Sequence, residues 1–163
     1  MHMGPFAKAG AAAALAFLFA AMPAPARAQW ATASSAFSIP QAQLLQPAEL
    51  NKLLHAAGAA RPLILQVGSR MMFDEAHIPG SEYAGAGSTA EGLEMLRARV
   101  KPLPRGKFIV LYCGCCPWNR CPNVDPAYKA LHDMGFTRVR VLYLAYNFGS
   151  DWASMGYPIE RGQ

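Results

Sequence analysis

The 163-residue chain has no cysteine outside one nine-residue window, where Cys113, Cys115, Cys116 and Cys121 stand. That absence argues against ordinary disulfide staples, which stabilise mainly by closing long loops in the unfolded chain. It also argues against a usual structural zinc site, which joins two separated ligand pairs. No basic stripe with interleaved aromatics exists, so no nucleic-acid partner is expected. Arg97, Arg99, Lys101, Arg105 and Lys107 form the one basic cluster, read as a solvated helix end and loop. No Asn-x-Ser/Thr sequon occurs, and residues 1–28 contain no acid. From residue 29 onward there is neither an internal repeat nor a low-complexity tract.

The opening residues read as a cleaved leader. Lys8 precedes an apolar, Ala-rich run from Ala9 to Met22, and Ala26-Arg27-Ala28 has the small-x-small form cut by signal peptidase. The run falls short of the ~20 strongly apolar residues of a spanning helix, so an uncleaved anchor is the lesser reading. Export to a bacterial periplasm, or secretion, is expected for residues 29–163, with no membrane association after cleavage. Loss of Lys8 and Arg27 takes the net charge from +5 to +3. The remaining 135 residues form one domain of a size that builds its own core. Residues 29–46 read as a linker or loosely docked arm, and 47–163 as the domain.

Within the domain, helices and strands alternate. Pro47 suits a first helical position, and Leu50, Leu53, Leu54 and Ala57 make a helical stripe closed by Gly58. "PLILQV" (62–67), "FIVLY" (108–112) and "VRVLYL" (139–144) are apolar runs that suit strands buried on both faces of a parallel sheet. "HIPGS" (77–81) is a turn. Ser88-Thr89-Ala90-Glu91 offers a capping box before Leu93, Leu96 and Val100. Asp125-Pro126 offers an N-cap and first turn for a helix stopped by Gly135, and Trp152 falls in a short helical segment. The alternation implies an α/β fold, a doubly wound parallel sheet flanked by helices. Sites in such sheets form at the carboxyl ends of strands.

"YCGCCPWNRCPNVDP" (112–126) follows the clearest strand directly. A thiol there is favoured as thiolate by backbone N–H groups and a following helix N-terminus. Cys113, at the strand end, is therefore the candidate nucleophile. Pro117, Pro122 and Pro126 keep the segment irregular.

"AHIPGS" (76–81), "FIVLYC" (108–113), "ALHDMGF" (130–136) and "DWASMGYPIE" (151–160) resemble, in order and spacing, the landmarks of a rhodanese-like domain. The resemblance spans about residues 47–161. It implies a three-layer fold with a mostly parallel five-stranded sheet between helices. It further implies a cysteine, matched by Cys113, that takes sulfane sulfur from a small sulfur-containing anion, holds it as a persulfide and passes it to a thiol or other nucleophile. Backbone amides from Gly114 onward would cradle the sulfur, and Arg120 would contact an anionic donor; from the residues alone, Trp118 reads either as a lid or recognition group over the cysteines or as simple packing against Pro117. The chain departs from the family in its loop, which runs 22 residues from Cys113 to Gly135 and is longer than usual. Trp118 stands where the family places an arginine. Gln66-Val67-Gly68 stands for the family's Asp-Val-Arg.

Other readings of the loop remain open at this level. Cys113-Gly114-Cys115-Cys116 is formally a Cys-x-x-Cys redox motif, and Cys116 or Cys121 can resolve a persulfide on Cys113. That use would bring in a periplasmic redox partner. No cofactor is required for sulfur transfer. Alternatively, Cys113, Cys115, Cys116 and Cys121 can ligate Cu(I) or Zn. His55, His77 and His132 are weaker ligand candidates with structural explanations. A disulfide-locked interaction loop is the third reading, paired either 113–116 with 115–121 or 113–115 with 116–121.

Overall fold

The computed structural model describes residues 1, 2, 4, 38–56, 58 and 61–162. The rest of the expected leader, residues 29–37 of the arm, and Ala57 of the first stripe lie outside the described residues. In chain order the elements are β1 (Leu44–Leu45), α1 (Pro47–Leu54), β2 (Leu63–Gln66), α2 (Arg70–Glu75), β3 (Glu82–Tyr83), α3 (Ala90–Val100), β4 (Ile109–Tyr112), α4 (Val124–Asp133), β5 (Val139–Leu142) and α5 (Phe148–Asp151). Single 3-10 turns cover Gln41–Gln43, Trp118–Arg120 and Ala153–Met155.

The five strands make one sheet in the order β1-β5-β4-β2-β3, and all four pairings are parallel. The α/β expectation, five strands included, therefore holds. Side chains alternate across the sheet, as strand geometry demands. Leu65, Ile109, Leu111 and Val141 face Leu96 and Val100 of α3 and Val124, Ala127 and Leu131 of α4. Ile64, Val110, Tyr112 and Leu142 face Leu50 of α1, Phe148 of α5 and Trp152. With both faces covered, each buried Leu or Ile contributes ~1.5–3 kcal/mol, and the strands read as unbroken apolar runs.

Winding fixes where a site can open. From β2 the chain steps outward to β3, and from β4 it steps the opposite way to β5. The crevice between the carboxyl ends of β2 and β4 is thus the topological switch point, the usual ligand position in such sheets. Gln66 is in register with Tyr112 there, so residues 67 and 113 leave the sheet side by side.

Local details differ from the sequence reading. Residues 38–46, read as a loose arm, dock firmly. Ile39 and Leu45 are buried, and Leu44–Leu45 pairs with β5 at the sheet edge. The expected box from Ser88 to Glu91 does not form, because the Ser88 N–H donates instead to Asn123 Oδ1 at 3.0 Å. Thr89 caps α3, its Oγ1 accepting from the Gly92 N–H at 3.0 Å. Asp125 does not cap α4; it sits in the first turn and accepts from the N–H and hydroxyl of Ser38. Asn123 occupies the cap position and turns its side chain toward sulfur.

The "HIPGS" turn is tied to the sheet. The Ile78 N–H donates to Tyr112 Oη at 3.3 Å, and Ser81 Oγ lies 3.1 Å from the same oxygen. His77 stacks on Phe73 with ring centroids 4.0 Å apart, and its backbone pairs with Glu160. Trp152 is fully buried and donates from Nε1 to the Pro158 carbonyl at 2.8 Å. Among the described residues no helix is long and apolar enough to cross a membrane.

Candidate active site

Cys113 prolongs β4 by one residue toward the α3–α4 face and is buried. Gly114 then takes φ +79°, a left-handed turn that glycine adopts without a Cβ penalty. A Cβ there would also come within 3.0 Å of Phe148 Cβ. The Gly114 carbonyl accepts from the Phe148 N–H at 2.9 Å, anchoring the turn to α5.

This reversal folds Cys115 and Cys116 back onto Cys113. The Sγ–Sγ distances are 2.9 Å for Cys113–Cys115, 3.8 Å for Cys113–Cys116 and 3.5 Å for Cys115–Cys116. All four cysteines are free thiols. Beyond Pro117, the Trp118 N–H donates to the Ala145 carbonyl at 3.2 Å, and the indole packs 5.2 Å from the Tyr143 ring. The loop is thereby pinned past the end of β5. Cys121 is buried just before Asn123.

The floor comes from residues 66–69 of the neighbouring strand end. Gln66 is almost wholly buried. Its Nε2 donates to the Cys113 carbonyl at 3.0 Å, and its Oε1 accepts from the Gly68 N–H at 3.1 Å. Gly68 lies directly against the cysteine. An added Cβ would fall 2.7 Å from the Cys113 carbonyl oxygen and 2.9 Å from its Sγ. A Cβ at position 68 would therefore force Cys113 or the backbone beside it to shift. Asn123 completes the setting, donating from Nδ2 to Cys113 Sγ at 3.3 Å and toward Cys115 Sγ at 3.8 Å. The sequence reading passed over Asn123. Its signal was an Asx residue immediately before a helix, two positions from the last thiol.

Protons are shared unequally among the sulfurs. Hydrogen bonding to Cys115, then to Cys121, and then burial hold the Cys113 thiol far above the ordinary range. The hydrogen bond from Cys113 lowers Cys115 to about 6, with the Ser69 N–H contributing. The same donor, helped by the N–H groups of Asn123 and Val124, lowers Cys121 to about 6. Burial, with the charge on Cys121, raises Cys116 to about 12. Hydrogen bonding within the cluster thus favours negative charge on Cys115 and Cys121 over Cys113 and Cys116. The nearest group to the expected nucleophile, Cys113, is the Cys115 sulfur at 2.9 Å. Burial also pushes the Tyr112 hydroxyl up to about 12.

A cavity of about 230 Å³ opens on the other side of Cys113. Gln66, Tyr112, Cys113, Gly114 and Phe148 form part of its wall, while Met72, Glu75, Ile159 and Arg161 bring in α2 and the C-terminal segment. Cys113 and Gly114 are the expected site residues that reach it. Cys115, Cys116 and Cys121 are not in its wall, nor are Trp118, half-buried on Tyr143, and Arg120, exposed on the 3-10 turn. Among the described residues, Cys113, Cys115 and Cys116 form the one group of potential metal ligands, their sulfurs within 4.8 Å of one another. They can hold a metal ion; no histidine joins them.

A five-stranded parallel α/β domain, with a cysteine loop at its switch point and an His-Ile-Pro-Gly turn bonded to the central strand, is a narrow class of protein. The chain belongs to the rhodanese-like family: residues 46–147 match the Rhodanese-like domain. Solved structures agree at the level of the fold. A rhodanese-like domain from Anabaena sp. is similar with TM-score 0.55 and 21% identity, covering 73% of this chain and 79% of that one. A Bacillus halodurans protein has TM-score 0.54 and 20% identity over 72% of this chain and 75% of that one. A Helicobacter pylori protein has TM-score 0.51 and 14% identity over 76% and 94%. No similar sequence was found among curated proteins.

Proposed function

We propose that the chain is an exported sulfur carrier in which Cys113 takes up sulfane sulfur as a persulfide. The observation carrying this reading is that Cys113 alone among the four thiols borders both the cavity and its neighbouring thiols. Cys113 and Cys115 share a proton across 2.9 Å, and Cys113 reacts when that proton sits on Cys115. The Cys113 sulfur attacks the outer sulfur of a donor; the donor's S–S bond breaks, and the leaving fragment keeps the electron pair. Asn123 Nδ2 compensates charge on Cys113 during the exchange.

Cys115 is also the nearest resolving thiol. Its attack on Cys113 Sγ forms a disulfide and expels hydrosulfide, so that two thiols lose the two electrons the sulfane sulfur gains. A dithiol reductant, a periplasmic redox partner, then restores the pair. Mass spectrometry after exposure to an organic persulfide tests the carrier. One added sulfur atom, lost in Cys113→Ser, is expected; an unmodified protein with two disulfides overturns it.

Metal binding is the second reading, favoured by the all-sulfur set of Cys113, Cys115 and Cys116. Soft thiolates select Cu(I) or Zn. Metal–sulfur bonds of ~2.3 Å set S···S separations of ~3.8–4.0 Å. Two separations fit at 3.8 and 3.5 Å, but Cys113–Cys115 at 2.9 Å must open by about 1 Å. That mismatch ranks the metal reading below proton sharing. Stoichiometric metal after anaerobic purification, lost on replacing Cys115 and Cys116, would reverse the ranking.

A further inference from the structure

The cavity beside Cys113 has a charge pattern that its sulfur chemistry leaves unused. Arg161 and Glu75 are both exposed and both line it, one cation and one anion at its mouth. Among the described residues neither is ion-paired; the pairs formed nearby involve Arg70 with Asp74 and His77 with Glu160. The remaining wall is largely apolar, with Met72, Ala76, Phe148 and Ile159. At about 230 Å³ it is smaller than the ~300–1,000 Å³ of drug-sized pockets, so its occupant is small.

This balance bears on which sulfur compounds enter. A dianion such as thiosulfate would meet one guanidinium and one repelling carboxylate beside an apolar wall, so only one of its charges would find a partner. A molecule with one charge of each sign and a short apolar stem meets a partner at every point. We propose that the cavity admits a small zwitterionic thiol of the α-amino-acid type, with Arg161 binding its carboxylate, Glu75 its ammonium group, and its sulfur meeting Cys113 as the acceptor of the carried sulfur. The inference rests on the carrier reading of Cys113. In the transfer, the acceptor thiolate attacks the outer sulfur of the Cys113 persulfide. The S–S bond breaks, the outer sulfur and its hydrogen leave as the organic persulfide, and Cys113 departs with the electron pair as thiolate. No net oxidant or reductant is consumed.

Two measurements test it. The first is isothermal titration of the sulfur-free protein with S-methylcysteine, which keeps both charges and cannot react. The wild type is expected to bind, and Arg161→Gln and Glu75→Gln are each expected to bind about fivefold more weakly, as for one exposed ion pair. The second is the ratio of kcat/KM for cysteine over 2-mercaptoethanol with persulfide-loaded protein, expected to fall about fivefold in Arg161→Gln. Absence of S-methylcysteine binding, an unmoved ratio, or an equal loss in Arg120→Gln overturns the inference. Failure of the carrier reading looks different: S-methylcysteine binds through Arg161 and Glu75, yet no sulfur is ever found on Cys113.

Discussion

Two loops leave the sheet side by side at its switch point, and they divide the labour unequally. The one after β2 passes through Val67, Gly68 and Ser69 and enters α2 at once. The one after β4 takes ten more residues beyond Cys113 to reach α4, and carries every cysteine. The short loop contributes a missing side chain, a buried amide and an N–H to the site. The long loop contributes the reactive atoms. The placement of Cys113 in the long loop thus depends on restraint in the short one, since a Cβ at position 68 would crowd both its carbonyl and its sulfur.

The sharpest way to break this arrangement is Gly68→Ala. Its Cβ meets backbone at 2.7 Å, so relief is not available from a flexible side chain. A loss of ~1–3 kcal/mol is expected by denaturant unfolding, together with loss of sulfur uptake by Cys113. Gln66→Leu comes next. It keeps the volume but leaves the Cys113 carbonyl and Gly68 N–H without their partner, at ~1–3 kcal/mol by the same measurement.

Asn123→Ala is expected to cost ~1 kcal/mol and to raise the pH at which the thiolates form, read from thiolate absorbance. In the unmodified protein, alkylation of Cys115 should hold steady as pH falls from 8 and decline through about 6. The sign follows from its lowered pKa: a thiolate favoured in the fold adds stability above the ordinary thiol range, which is lost as pH falls through about 6. Cys113 and Cys116 are shifted up and act oppositely, adding stability at lower pH that is lost as pH rises. The smallest effect is assigned to Arg120→Gln, within ~0.5 kcal/mol, because that exposed side chain touches neither the cavity nor the sulfurs.

These predictions also mark what was legible in the sequence. The central strands were readable because burial on both faces turns them into continuous apolar runs, and the cysteine cluster advertises itself. β1 and β3 were not readable: two residues carry no periodicity, and Glu82 of β3 is held by its ion pair with Arg99. The substitution at Gly68 was visible as a departure, but the contact it permits runs across 45 positions of sequence. Glu75 and Arg161 were hidden for a related reason, since only the fold brings α2 and the C-terminal segment to the cavity that Cys113 also lines.

The prolines of the long loop carry a consequence of another kind. Pro117 and Pro122 of the loop, with Pro126 in the first turn of α4, restrict the unfolded chain, each by an amount worth ~0.4–1 kcal/mol where the folded φ suits the ring. A part of the entropy of gathering four sulfurs is therefore surrendered before the protein folds. The 3-10 turn held by the Ala145 carbonyl extends this economy to the native state. On the proposed function, a sulfur on Cys113 would meet neighbours already in place, and exchange among the thiols would run at the effective molarity of a preorganised ring.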